Sequence, residues 1–228
     1  MTTQSLSGTI HVLRDDVIYS ACIGEKTHVG HYWFIGSCLV GADDDVYLEI
    51  RNDELNGYYN GINTHIGWQD ANQLSFTVAY SPTEPEPTGY ENNVMLFSNV
   101  YCSTSCYISY AADSWYSYEN PTLINIVPNI SMSQFKVQPK QSFNIEYTTN
   151  RSELITFGSW DDQYWSRTMR WYNVQIYNNS VLLRHFIPVP AGMVIGNYTV
   201  PSNGMWDIVE QRFYRNYGTG DFIYGVDE

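Results

Sequence analysis

The sequence predicts an all-β protein built as a two-sheet antiparallel sandwich. Three observations predict it. Apolar and aromatic residues alternate with polar ones over short stretches, the period of a half-buried strand. Turn-forming Asn, Asp, Gly and Pro punctuate these stretches roughly every eight to twelve residues, which gives about a dozen strands. No segment sustains a 3.6-residue apolar period over three turns. Composition agrees: 20 Tyr and 7 Trp in 228 residues, with aromatics at 16% and charged residues at only 15%. Aromatic side chains suit pleated, half-buried surfaces, and Tyr and Trp add a polar tip useful at interfaces.

The first 40 residues carry short strand-like runs at 10–13, 17–21 and 32–35, separated by Asp-Asp and Gly turns. They read as N-terminal strands or a docking arm, with the sandwich proper spanning 41–228. Asp43, Asp44 and Asp45 form a turn, and 46–51 resumes alternation. Asn56-Gly57 and Asn60-Gly61 have the composition of hairpin turns. The stretch 74–80 (LSFTVAY) is the clearest early strand. Residues 81–89 (SPTEPEPTG) form an exposed loop, because Pro at alternate positions cannot donate to a central ladder. Further strands are expected at 94–97, 107–110, 123–127, 142–148, 154–157 and 169–177. Residues 171–188 alternate into a tight Asn-Asn turn and out again, a hairpin signal. Residues 205–213 fit either a single helical turn or a short strand pair.

The formal charge of −13 argues against nucleic acid as a partner, because no basic stripe is present to neutralise phosphates. It argues equally against an anionic membrane surface. No apolar run approaches the roughly 18 residues of a membrane span. The first residues lack a basic region followed by an apolar one, so no secretion signal is expected. Cys22, Cys38, Cys102 and Cys106 have no zinc-ligand spacing. The expectation is free buried thiols from a reducing cytoplasm, with a structural disulfide as the alternative.

The C-terminal third contains the segments ITFG at 155–158, RWYNVQIY at 170–177, LRHFIPV at 183–189 and MWDIVEQRFYRNYGTGDF at 205–222. Over roughly seventy residues these resemble the end of concanavalin A-like, laminin-G-type lectin domains of bacteriophage tail and virion proteins. The connection at 190–201 and the first 90 residues depart from that pattern. The resemblance implies a jelly-roll fold and a place on the virion surface, as a tail, fibre or head-decoration subunit. It also implies other virion proteins as partners, homo-oligomerisation, and synthesis in the host cytoplasm. Host-surface polysaccharide is the implied ligand. Within this segment, Asp207 and the pair Phe213-Tyr214 are expected to fasten the chain end to the sheet. Arg184 is expected to pair with an acidic neighbour, and the glycines after Asn216 to supply positive φ.

A pyranose presents an apolar C–H face that stacks on an aromatic ring, while Asn or Asp fixes its hydroxyls. Trp115, Tyr116, Trp160, Asp161 and Trp165, in loop-like stretches, are the glycan-binding candidates. Asp43, Asp44, Asp45, Asp161 and Asp162 are candidate Ca²⁺ ligands, because Ca²⁺ gathers oxygens from loops, although no EF-hand spacing is present. No cofactor is otherwise expected. His28, His31, His65 and His185 read as surface or packing residues. Hydrolysis of a glycosidic bond needs paired carboxylates. Glu49 with Asp53 is the nearest such pair, yet residues 52–54 read as a turn. Nucleophile motifs of the G-x-S-x-G type are absent. The chain reads as non-enzymatic.

Overall fold

The computed structural model describes residues 22, 24–50, 60–81, 94–99, 108–111, 114–117, 121–128, 130, 140–158, 168–218 and 220–228. Among these residues there are nineteen strands, one 3₁₀ turn at Trp68–Asp70 and no α-helix. Every strand pairing is antiparallel. The all-β sandwich expected from the sequence is the fold.

The nine-stranded sheet is organised by β13 (Met169–Asn178). On one side it pairs with β6 (Gln73–Tyr80), followed by β11 (Gln141–Thr148) and β10 (Thr122–Val127). On the other side the ladder divides. Met169–Trp171 pair with β4 (Val46–Ile50), which in turn pairs with β19 (Ile223–Val226). Residues 174–178 pair instead with β14 (Val181–Val189), which leads to β17 (Gly204–Asp207) and β18 (Arg212–Tyr214). A bulge between Trp171 and Asn173 makes this possible. One extra residue, Tyr172, shifts the phase so that Met169 and Trp171 face the core before it and Val174 and Ile176 after it.

The second sheet has the order β5 (Gly61–Gly67), β12 (Leu154–Gly158), β7 (Val94–Asn99), β8 (Ile108–Ala111) and β9 (Ser114–Ser117). It faces the first across an aromatic core. Phe76 of β6 meets Phe97 of β7 at 4.9 Å between ring centroids, and Trp171 meets Phe157 of β12 at 5.0 Å. Such contacts add about 0.5–1.5 kcal/mol each beyond area burial. Gly158 closes β12 where it runs against the start of β5. Its φ is +125°, and a Cβ there would stand 2.8 Å from the Asn60 carbonyl oxygen.

A three-stranded meander comprises β1 (Lys26–Val29), β2 (Tyr32–Ile35) and β3 (Cys38–Ala42). Its Tyr32 and Leu39 pack with Ile187, Val189 and Trp206 in a second, smaller core. In strands β14 and β17 alternate residues belong to the two cores: Phe186 and Met205 to the main one, Ile187 and Trp206 to the second. The meander therefore covers one end of the outer face of the large sheet. A two-stranded hairpin, β15 (Val194–Ile195) with β16 (Tyr198–Thr199), contributes Ile195 to the same core. The 40/41 division falls within β3, and residues 1–21 lie outside the described residues.

Several sequence expectations are answered directly. The 169–189 hairpin turns through Asn179 and Ser180, both at positive φ (47° and 66°), the condition of a tight primed turn. Residues 205–213 resolve as the strand pair β17–β18. Cys22 and Cys38 are joined in a disulfide, not held as free thiols: the meander brings their Cα atoms to 5.7 Å. Cys102 and Cys106 lie outside the described residues. Asn60-Gly61 is no tight turn, because Gly61 begins β5 and pairs with Gly158. Gly220 does not take a positive φ. It is glycine because a Cβ would stand 2.7 Å from the Asn60 side chain. The Pro-rich stretch 82–89 lies outside the described residues.

Candidate functional site

Away from the meander, the outer face of β11, β6, β13 and β14 is a polar ladder that carries little charge. The core takes Leu74, Phe76 and Val78 from β6, so the alternation aims Gln73, Ser75 and Thr77 outward. Register then builds cross-strand rows. Asn144, Ser75, Gln175 and His185 form one row across β11, β6, β13 and β14. Ser142, Thr77 and Asn173 form a second, and Glu146, Gln73 and Tyr177 a third.

These side chains hold one another. Gln73 donates to Asn144 at 2.7 Å, and Asn173 donates to Thr77 at 3.1 Å, while Thr77 and Ser142 share a bond of 2.8 Å. Tyr177 donates its hydroxyl to the Gln175 carbonyl at 2.8 Å, and the Gln175 amide lies 3.3 Å from His185 Nε2. Burial pushes the His185 ring down to about 4, so it is neutral at pH 7. Glu146 is the one carboxylate of the three rows. Each amide and hydroxyl retains donor or acceptor capacity beyond the bond it makes. The face can thus bind a ligand rich in hydroxyl groups with side chains already oriented.

The acidic turn after β3 divides. Asp44 turns outward and pairs with Lys140 at 3.7 Å. Asp43 and Asp45 turn toward the meander's histidines. His28 Nε2 lies 2.9 Å from Asp43 Oδ2, and His31 Nδ1 lies 3.3 Å from Asp45 Oδ2 and 3.8 Å from Asp43 Oδ2. Trp33 stacks on His28 at 4.2 Å between centroids and donates its indole N–H to Asp43 Oδ1 at 3.1 Å. Sequence reasoning missed both histidines as partners of this turn. The signal was present as His-x-x-His at 28–31 and Asp-x-Asp at 43–45.

Trp115 and Tyr116 belong to β9, the edge strand of the second sheet. Trp160, Asp161, Asp162 and Trp165 lie outside the described residues, as does Asp53. Glu49 is 3% exposed and accepts a bond from Ser81 Oγ at 2.9 Å. Arg170 Nε lies 3.5 Å from it and reaches Asp227 at 3.3 Å with its other nitrogen. This carboxylate fastens β4 to β13.

Behind the second core, Asp207 is fully buried and accepts the His185 and Val209 amides at 3.0 Å each. Arg184 bridges Asp207 at 3.4 Å and Glu210 at 2.6 Å, and Tyr214 donates to Glu210 at 2.6 Å. Arg184 pairs with acidic neighbours as expected, and Asp207 and Tyr214 tie β17 and β18 to β14 through these contacts. No protein-family model, curated protein or solved structure matches the chain.

Proposed function

We propose that the protein is a non-enzymatic glycan-binding module of a bacteriophage virion surface, with a concanavalin A-like jelly roll as its scaffold. The observation that carries the binding reading is the ladder Asn144–Ser75–Gln175–His185 with its neighbours, preoriented and almost without charge. Amides and hydroxyls match the mixed donor and acceptor character of sugar hydroxyls. Tyr177 adds an aromatic body within the same face. With a net charge of −13, the protein repels polyanions at range, which favours neutral host-surface polysaccharide over acidic polymers. Other virion proteins and further copies of the chain are the expected neighbours. Cytoplasmic synthesis followed by assembly fits the same reading.

The test is a glycan array probed with purified protein, followed by titration of the best ligand. Gln175→Ala and Asn144→Ala should each weaken binding at least about tenfold, since each removes hydrogen bonds worth roughly 1.5 kcal/mol. Trp115→Ala, Trp160→Ala and Trp165→Ala test the aromatic candidates in the same assay. Absence of binding to every neutral glycan sinks the reading. A purely structural virion subunit would then stand, and one observation favours it. The edge strand β10 exposes Ile124 (63%) and Val127 (54%), an apolar margin suited to burial against a neighbour.

A further inference from the structure

The geometry points to a transition-metal site, of the Zn²⁺ class, formed by His31, Asp43 and Asp45. It is separate from the polar sheet face and does not depend on the glycan reading.

Two turns supply the donors. His31 sits in the β1–β2 turn, and the two carboxylates flank Asp44 in the β3–β4 turn. Gly30 takes φ +60° in the β1–β2 turn, immediately before His31. A backbone bond of 2.8 Å from the Asp43 amide to the His31 carbonyl ties one turn to the other. The Asp45 carbonyl accepts the Asp227 amide at 2.9 Å, so the chain end anchors the second carboxylate. The site is assembled by backbone structure and does not rest on loose surface side chains.

The separations match the chemistry. Donor atoms of His31, Asp43 and Asp45 all lie within 4.8 Å of one another. Zn²⁺ holds imidazole and carboxylate donors at about 2.0–2.2 Å, so neighbouring donors of a tetrahedron stand about 3.3–3.6 Å apart. His31 Nδ1 stands 3.3 Å from Asp45 Oδ2 and 3.8 Å from Asp43 Oδ2. His28 Nε2, 2.9 Å from Asp43 Oδ2, stands at ion-pair distance from one of these carboxylates and is not one of the three clustered donors. The Trp33 indole N–H on Asp43 Oδ1 is the kind of outer hydrogen bond that orients a ligating carboxylate. Asp45 Oδ1 is closed off from solvent and has no hydrogen-bond partner among the described residues. A buried carboxylate oxygen left in that state gains from a cation.

The His31 imidazole nitrogen and the small number of donors distinguish this set from a Ca²⁺ site, which wants about six to eight oxygens. Asp44, the third carboxylate of the turn, points to Lys140 and is not a ligand.

Isothermal titration of untagged, chelator-treated protein with Zn²⁺, Ca²⁺ and Mg²⁺ in turn tests the assignment. The expected result is one Zn²⁺ per chain, with Ca²⁺ and Mg²⁺ bound at least about tenfold more weakly. His31→Ala and Asp45→Asn should each lower Zn²⁺ affinity at least about tenfold. Both side chains are part-exposed, and a circular dichroism spectrum unchanged from the parent confirms that each variant folds. Co²⁺ replacing Zn²⁺ should give the visible absorption of a tetrahedral centre, and either ion should change the fluorescence of Trp33, stacked on His28. Stoichiometric Zn²⁺ binding that survives both substitutions overturns the proposal. So does Ca²⁺ binding as tight as Zn²⁺, or no Zn²⁺ binding at all, in which case these residues form ion pairs only.

Discussion

Asp207 and His185 adjoin in the structure and are shifted in opposite senses. Burial pushes the Asp207 carboxyl up to about 6, against the pull of the His185 and Val209 amides and of Arg184. Burial pushes the His185 ring down to about 4. Raising a carboxyl above its unfolded value means that the native state holds the proton more firmly. Its contribution to stability therefore grows as pH falls from about 6 toward the unfolded carboxylate range. Lowering a histidine means that the native state resists protonation, so its contribution is lost as pH falls from about 6.5 toward 4. The two slopes oppose. Asp207→Asn should expose the histidine slope and make the loss of stability between pH 7 and pH 4.5 steeper than in the parent. His185→Gln should do the reverse. Each difference reaches about 3 kcal/mol at most, at about 1.4 kcal/mol per pKa unit, and urea unfolding at several pH values measures it. A pair of parent-like slopes would show that neither group is desolvated as described. The importance of Asp207 was legible from its place in the C-terminal motif, but its coupling to His185 was not. The two residues lie on neighbouring strands and meet only through the β14–β17 register.

At the scale of the element, β13 carries the sandwich. Trp171 is fully buried and touches Phe76, Phe97 and Phe157 across both sheets. Trp171→Ala should cost about 3–5 kcal/mol, the range for removing a large aromatic from a packed core, read as a lower denaturation midpoint with an unchanged m-value. Gly158→Ala should cost more than about 1 kcal/mol, because it combines a positive φ with a Cβ set against backbone. Thermal unfolding followed by far-ultraviolet circular dichroism checks it, and a midpoint equal to the parent's would show that β5 can retreat from β12. Strand periods for β6, β11 and β13 were readable because each buries one face, leaving period-2 alternation in the residues themselves. The bulge at Tyr172 was not readable. A phase change in alternation looks the same in sequence whether the strand bends, ends or changes partner.

For the whole molecule, the notable feature is a sheet with both faces in use at one end. Strands β14 and β17 contribute to the main core on one side and to the meander's core on the other. Trp206 is the largest side chain of the second core and is 4% exposed. Trp206→Ala should loosen the meander before the sandwich. Hydrogen exchange followed by mass spectrometry should show amides of residues 26–42 exchanging faster while those of β6, β11 and β13 keep their protection. Uniform loss of protection would mean that the two cores unfold as one unit. The Cys22–Cys38 disulfide lies within the meander and closes it upon itself. The second core, not that covalent bond, is what joins the meander to the sheet.

By itself the sequence determined that the chain folds as strands, where most of them lie, which faces they bury, and that the net charge is −13. These properties are local or additive: alternation, turn chemistry and net charge are carried by neighbouring residues or by simple sums. Only the tertiary structure decided which strands adjoin, that Cys22 meets Cys38, that His28 and His31 face Asp43 and Asp45, and that Gln175, Ser75, Asn144 and His185 share one row. Each of these depends on pairing between segments far apart in the chain. Pairing is selected by how whole faces pack together, which no single stretch of residues encodes.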